Sequence, residues 1–302
     1  MSKQPKVSAE YLAAIDELTD IALAHEIRLK RSSARELLIR LAPTNQDLTI
    51  GPMANSSRVH AFRIKSLITL WNFSLDDEID DARSSEQLDA SMLAIRQRIR
   101  QERTSTRGAR GSTAALLHAF ELIDQLAGAT AARAIATDLW EHAIGFEYDH
   151  ITNTHHEHLH TSSYLRFAVL NASPKPFVAI DLSLSNRPLA GRDFMLLRTA
   201  SDLFAMALKY ASDTGTHSRD LREHTGNIIE IRAREDARDD PESLFEEVQG
   251  AALDTFEQGL AILREVSSDY ETDSFIAATR RLLHLYILHD YSLIERSTQP
   301  QD

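Results

Sequence analysis

Five acids fall within six residues at Asp76-Asp77-Glu78-Ile79-Asp80-Asp81, at the end of an apolar stretch with helical spacing. On a helix Asp76 and Asp80 are four apart and share a face, with Asn72 and Phe73 one turn earlier. Like charges at that spacing repel, so the cluster costs stability unless cations sit between the carboxylates. Hard divalent ions with oxygen ligands, Mg²⁺ foremost, suit such a donor set. The same run, in an acidic protein, also reads as a solvated helix face.

One acidic helix end holds a divalent ion weakly, so a second set of ligands is needed. Ser212, Thr216 and Asp220 are spaced four and four after the apolar stretch Phe194 to Ala211, which lines three oxygens along one face. Arg219, beside the last of them, is placed to hold an anion that the metal also touches. Hydroxyls on helices also bond back to their own backbone, which is the plainer reading of Ser212 and Thr216. A rival register, Asn227, Ile231 and Glu235, has the same spacing but an apolar middle position that cannot coordinate a metal. The histidines 150, 155, 156, 158 and 160 lie in a polar run before a helix, with no cysteine to join them, and read as solvated. Arg103, Arg107 and Arg110 flank Gly108 and Gly111 and read as a solvated loop, with a substrate lid as the alternative, and Phe73, Phe167, Phe177 and Phe204 read as core.

Helices must position these residues. Apolar positions recur three or four apart from Arg58 to Leu75, where Ala61, Phe62, Ile64, Leu67, Ile68, Trp71 and Leu75 form one stripe. Similar spacing predicts helices over Ser8–Lys30, Ser33–Leu41, Ser85–Gln101, Ser112–Leu126, Ala131–Asp149, Ser162–Leu170, Pro176–Ser183, Gly191–Ser212 and most of Ser243–Ile294. Breaks are expected at Gly51-Pro52, Thr104–Gly111, Asn171–Pro174 and Arg187-Pro188. No composition shift divides the chain, so residues 1–302 read as a single all-α domain, an antiparallel helical bundle of about a dozen helices.

The composition excludes several classes. Ten glycines and eight prolines in 302 residues are too few for a many-stranded sandwich or barrel. With no cysteine, disulfides, thiolate metal sites and cysteine nucleophiles are ruled out. A net charge of −12 with scattered basic residues argues against a nucleic-acid surface. No uncharged apolar run reaches the length of a membrane span and the first residues lack a signal core, so a cytoplasmic protein is expected.

Taken together, the acidic cluster and the later Ser212–Asp220 stretch resemble the class I terpene synthases, the bacterial terpene cyclases in particular, over most of the chain. Asp76-Asp77-Glu78-Ile79-Asp80 stands for the family's D-D-x-x-D motif. In the second motif Ser212 replaces the usual Asn or Asp, and Asp220 the usual Glu, each keeping an oxygen ligand. The resemblance implies that Asp76, Asp77, Asp80, Ser212, Thr216 and Asp220 bind Mg²⁺, three ions in all. It implies that Arg166 senses the substrate diphosphate, with Asp76 and Asp77 as catalytic partners, and that Arg219 and Arg296 also contact diphosphate; Arg296, followed by Ser297, departs from the family's Arg-Tyr pair. The break at Asn171–Pro174 corresponds to the kink that exposes a carbonyl to the allylic cation. The implied reaction ionises a prenyl diphosphate, with a C20 geranylgeranyl or copalyl-type substrate favoured and C15 farnesyl diphosphate open, and releases pyrophosphate with a terpene hydrocarbon or alcohol. A homodimer is the implied assembly. A chain-elongating isoprenyl diphosphate synthase would share the fold, but no second D-D-x-x-D is evident. A helical interaction protein without an active site is the other class the residues allow.

Overall fold

The structure, a computed structural model, describes residues 7–30, 32–80, 85–152, 159–223, 225–238 and 241–287. Among these there is no strand, and no helix is long and apolar enough to cross a membrane. The helices are α1 (Ala9–Ala24), α2 (Ala34–Asp47), α3 (Asn55–Asp80), α4 (Glu86–Ile99), α5 (Ser112–Thr152), α6 (Thr161–Phe167), α7 (Lys175–Leu184), α8 (Arg192–Glu223), α9 (Ile228–Glu235), α10 (Phe245–Leu263) and α11 (Asp273–Ile287).

Most expected helices form, with instructive differences at their ends. Helix α1 stops at Ala24 rather than Lys30, where Glu26 takes a positive φ of 55°. Helix α2 starts on a Ser33–Glu36 capping box but runs through Pro43 to Asp47 instead of ending at Leu41. Tertiary contact overrides the proline, because Ala42 and Asn45 in that last turn are buried and Asn45 donates to Ser66 and Thr69 of α3. The two expected helices around residue 128 form the arms of α5, which meet at Gly128 with φ 75° and ψ 169°. Both chemistry-bearing helices extend through their polar motifs, α3 to Asp80 and α8 to Glu223.

Three apolar clusters hold the bundle. The largest joins α1 to α5 and α7 around Phe62, Trp71, Phe120, Leu139 and Phe146. The second joins α7, α8, α10 and α11, with the Phe204 ring 5.0 Å from Phe256 and 5.9 Å from Phe275. The third joins α6, α9 and the start of α10 through Tyr164, Ile228, Ile229, Ile231 and Val248. A buried Lys65–Asp181 ion pair of 2.6 Å ties α3 to α7, and Asp181 also accepts from the Ile50 backbone. Phe73 is not core: it is 43% exposed on α3, beside the acid cluster.

Candidate active site

Helix α3 carries the first acid cluster to its C-terminal end, where Asp76 is exposed and Asp77 half-buried. Asp77 accepts a 2.8 Å hydrogen bond from the Lys30 backbone N–H, so the turn after α1 closes over this end of the helix. Glu78 turns the other way and accepts from Ser112 Oγ at 3.1 Å. Burial raises its carboxyl above the usual range, Ser112 and Ser74 pull it down, and the charge of Asp77 raises it further. Asp80 ends α3; its side chain lies outside the described residues, as does Asp81.

The second stretch is buried. Thr216 and Asp220 face inward on α8, and Ser212 is half-buried one turn earlier. The Thr216 hydroxyl lies 3.0 Å from the Ser212 carbonyl and 2.5 Å from Asp220 Oδ2, so its one proton serves two acceptors. Asp220 also accepts from Asn227 Nδ2 at 2.9 Å and from Arg219 at 3.2 Å. The back-bond expected for helical hydroxyls is therefore present, but it coexists with a contact that arms the carboxylate.

Residues outside the sequence-based candidates complete this region. Asp213, buried next to Ser212, accepts from Tyr164 Oη at 2.7 Å and Ile228 N at 3.0 Å, and pairs with Lys209 Nζ at 3.1 Å. Burial works against the Lys209 charge, but Asp213, Tyr164 and Asp149 outweigh it and hold the ammonium well above its ordinary range. Burial likewise pushes the Tyr164 phenol up, helped by Asp213. The available signal was the i, i+4 spacing of Lys209 and Asp213, which puts cation and anion on one face of α8.

Both chemistry-bearing helices act on Tyr286 near the end of α11. Its phenol is raised by burial, lowered by Lys209, raised by Asp76 and lowered by Arg219. Asp76 from the first cluster and Arg219 from the second thus lie within electrostatic reach of one hydroxyl.

The remaining candidates are placed as follows. Arg166 is exposed on α6, its guanidinium 5.4 Å from the centre of the Phe167 ring. Arg296 lies outside the described residues, as do His155, His156 and His158. The residues of the rival register are engaged in capping and packing. Asn227 caps α9, Ile231 is buried apolar packing, and Glu235 accepts from Thr161 N at 3.0 Å and Thr161 Oγ1 at 2.5 Å at the start of α6. His160 Nδ1 lies 3.0 Å from Glu235 in the same cap.

The expected helix break is present between α6 and α7 as a 3-10 turn over Leu170–Ala172. It presses on α5 at Gly145, where an added Cβ would come within 2.8 Å of the Asn171 backbone nitrogen. Asn171 Nδ2 donates to Asp149 at 2.7 Å, and the Ser173 carbonyl lies 2.8 Å from His142 Nε2.

The donors offered at α3 and α8 are all oxygens: carboxylates from Asp76 and Asp77, hydroxyls from Ser212 and Thr216, and the Asp220 carboxylate. Such a set fits a hard divalent cation and not a soft one. Among the described residues no three His, Cys, Asp or Glu side chains group closely enough to hold a metal by themselves, so an ion here needs hydroxyls, water or a ligand's oxygens as well.

No protein-family model matches the sequence, and no curated protein matches it. Solved structures do. The chain is similar to linalool/nerolidol synthase from Streptomyces clavuligerus at 13% identity and a TM-score of 0.70, over 96% of this chain and 99% of that one. It is similar to 2-methylisoborneol synthase from Streptomyces coelicolor, solved with Mg²⁺ and 2-fluoroneryl diphosphate, at 10% identity and a TM-score of 0.66, over 98% and 94% of the two chains. Abietadiene synthase from Abies grandis aligns at 12% identity and a TM-score of 0.71 over 97% of this chain but only 41% of its own. From residues 7 to 287 the helices thus follow a known course, and the chain has the all-α fold of the class I terpene synthases.

Proposed function

We propose that this protein is a class I terpene synthase that ionises a prenyl diphosphate, and that residues 1–302 act as one catalytic domain. What supports the reading is a fold shared over 95% and 98% of the chain with synthases solved with diphosphate analogues, together with oxygen donors at the end of α3 and along α8 where the resemblance expects them.

In this reading Asp76, Asp77 and Asp80 hold Mg²⁺ from one side and Ser212, Thr216 and Asp220 from the other. When bound, Mg²⁺ supplies Lewis-acid neutralisation of the diphosphate oxygens. Arg219, and Arg166 from α6, add charge-assisted hydrogen bonds to the same leaving group. The allylic carbon–oxygen bond breaks with its electron pair going to diphosphate, which leaves an allylic carbocation. Asn227 and Thr216 keep the Asp220 carboxylate oriented, and Asp213 keeps Lys209 from competing for it. The apolar wall around Trp71 and Phe146 keeps bulk water from the cation, and aromatic faces stabilise it.

A C20 diphosphate remains the favoured substrate from the sequence resemblance, whereas the analogues bound in neighbouring structures are fluorogeranyl and fluoroneryl diphosphates. The test is incubation with Mg²⁺ and geranyl, farnesyl, geranylgeranyl or copalyl diphosphate, with and without isopentenyl diphosphate, followed by pyrophosphate assay and analysis of the organic extract. Pyrophosphate release without isopentenyl diphosphate is expected, strongest with a C20 substrate. The Asp76→Ala/Asp77→Ala double variant should abolish it while helical circular dichroism stays intact. Product formed only with isopentenyl diphosphate would mean chain elongation, and no release from any substrate would sink the reading.

A further inference from the structure

One turn before Asp76, on the same face of α3, the structure places a polar pair in an apolar cluster. His142 on α5 is buried, with its ring stacked on Trp71 at 6.4 Å and an interplanar angle of 18°. Trp71 in turn meets Phe146 edge-on at 5.8 Å, and Leu75, Leu139 and Ala143 are buried in the same cluster.

The hydrogen bonding fixes the state of this histidine. His142 Nε2 lies 2.8 Å from the Ser173 carbonyl, which can only accept, so the ring proton sits on Nε2 and Nδ1 presents a bare lone pair. Burial holds the imidazole neutral, its pKa pushed down to about 4 against the raising effects of Ser173 and Glu141. Nδ1 faces Asn72 Nδ2 at 3.5 Å, the outer limit of a hydrogen bond. The other end of that amide, Asn72 Oδ1, is buried with no hydrogen-bond partner among the described residues. Asn72 as a whole is only half-buried. Two acceptors, a carbonyl oxygen and an imidazole nitrogen, therefore stand together with a single weak donor between them. Native structures seldom leave buried acceptors so poorly served unless the site uses them.

A water molecule has two hydrogens to give to two such acceptors, and its lone pairs are then turned away from both. We propose that Asn72 and His142 are the quenching residues of the reaction, holding a water that adds to the carbocation so that the product is a terpene alcohol. This rests on the terpene synthase reading above. The water oxygen forms the new carbon–oxygen bond with one lone pair; its O–H bond breaks and the proton goes to His142 Nδ1. The resulting imidazolium returns that proton to solvent or to the released diphosphate. The net change is prenyl diphosphate plus water giving alcohol plus diphosphate. A neutral imidazole lone pair beside a carbocation is a base, whereas an aliphatic residue at either position would leave only elimination to other acceptors.

The experiment is product analysis in ¹⁸O-labelled water. The wild type should give a terpene alcohol carrying ¹⁸O. Asn72→Leu removes the carbonyl acceptor, and His142→Gln keeps an amide donor for the Ser173 carbonyl while removing the imidazole base. Each should cut the alcohol share of total product by about tenfold, with hydrocarbon in its place. If His142→Gln does not fold, Asn72→Leu decides, because its side chain is half-buried and makes no short hydrogen bond. Pyrophosphate release with only hydrocarbon from the wild type, or an alcohol share unchanged in the folded variants, would overturn the quenching role and leave the terpene synthase reading standing. No pyrophosphate release at all would overturn both.

Discussion

Asp220 and Glu235 are both acidic, both end a four-four spacing, and the structure gives them different work. Asp220 is buried and gathers Thr216, Asn227 and Arg219, whereas Glu235 gathers the exposed first turn of α6. Asp220→Ala should therefore reduce turnover by about a hundredfold or more, as loss of a metal ligand or its support does. Glu235→Ala should lower stability by about 1 kcal/mol through the lost cap and leave most of the turnover. Steady-state rates and thermal melts of the two variants check the ranking, and the reverse order would return the second motif to the Asn227 register. At this scale the sequence offered the candidate ligands because oxygen donors at helical spacing are a local pattern. It did not show Lys209, Asp213, Tyr164 or Tyr286 as parts of the site, because their meeting depends on how α6, α8 and α11 pack.

The helices and the four main breaks between them were largely legible, and the exact helix ends less so. The 3.6-residue periodicity of Ala61 to Leu75 marks α3 because one face is buried throughout. Helix α9 is absent from the helices the spacing predicts, and its cap, Asn227, enters the sequence reading only in the rival ligand register. Proline 43 misled because the buried turn that follows it outweighs the lost backbone hydrogen bond. The close contact between α5 and the 3-10 turn of Leu170–Ala172 was invisible in sequence, since only the folded chain shows why residue 145 lacks a side chain. Gly145→Ala should push the turn away from α5 at a cost of about 1–3 kcal/mol. The midpoint of thermal unfolding should fall by roughly 2–8 °C with helical circular dichroism retained. An unchanged midpoint would show that the turn can shift freely.

For the molecule as a whole, two buried groups bias stability in opposite directions with pH. Burial pushes Asp138 up to about 6 despite its pairing with Arg198, so the folded state holds that proton more tightly than the unfolded chain. Its contribution is full below about 4 and is lost as pH rises through about 6. His142, pushed down to about 4, contributes stability above its unfolded value that is lost as pH falls through about 4. Each shift spans a little over two pH units, or roughly 3 kcal/mol. In the wild type the two slopes offset one another between about pH 4 and 6. Asp138→Asn should thus make stability climb with pH over this range relative to wild type, and His142→Gln should make it fall. Urea titrations at several pH values read both, and parallel curves for all three proteins would refute the assignment. The all-α class and the order of helices were legible from composition and periodicity; this opposition was not, because burial of a charge is a property of the packed interior. Asp213 has a consequence of its own. Helices α6 and α9 are seven and eight residues long, too short to persist alone in water, and both are fastened to α8 through that carboxylate. Asp213 is thus one mooring shared by both, beside the Asn227–Asp220 and His217–Glu230 contacts, and swinging α6 and α9 away from α8 would sever its two bonds together.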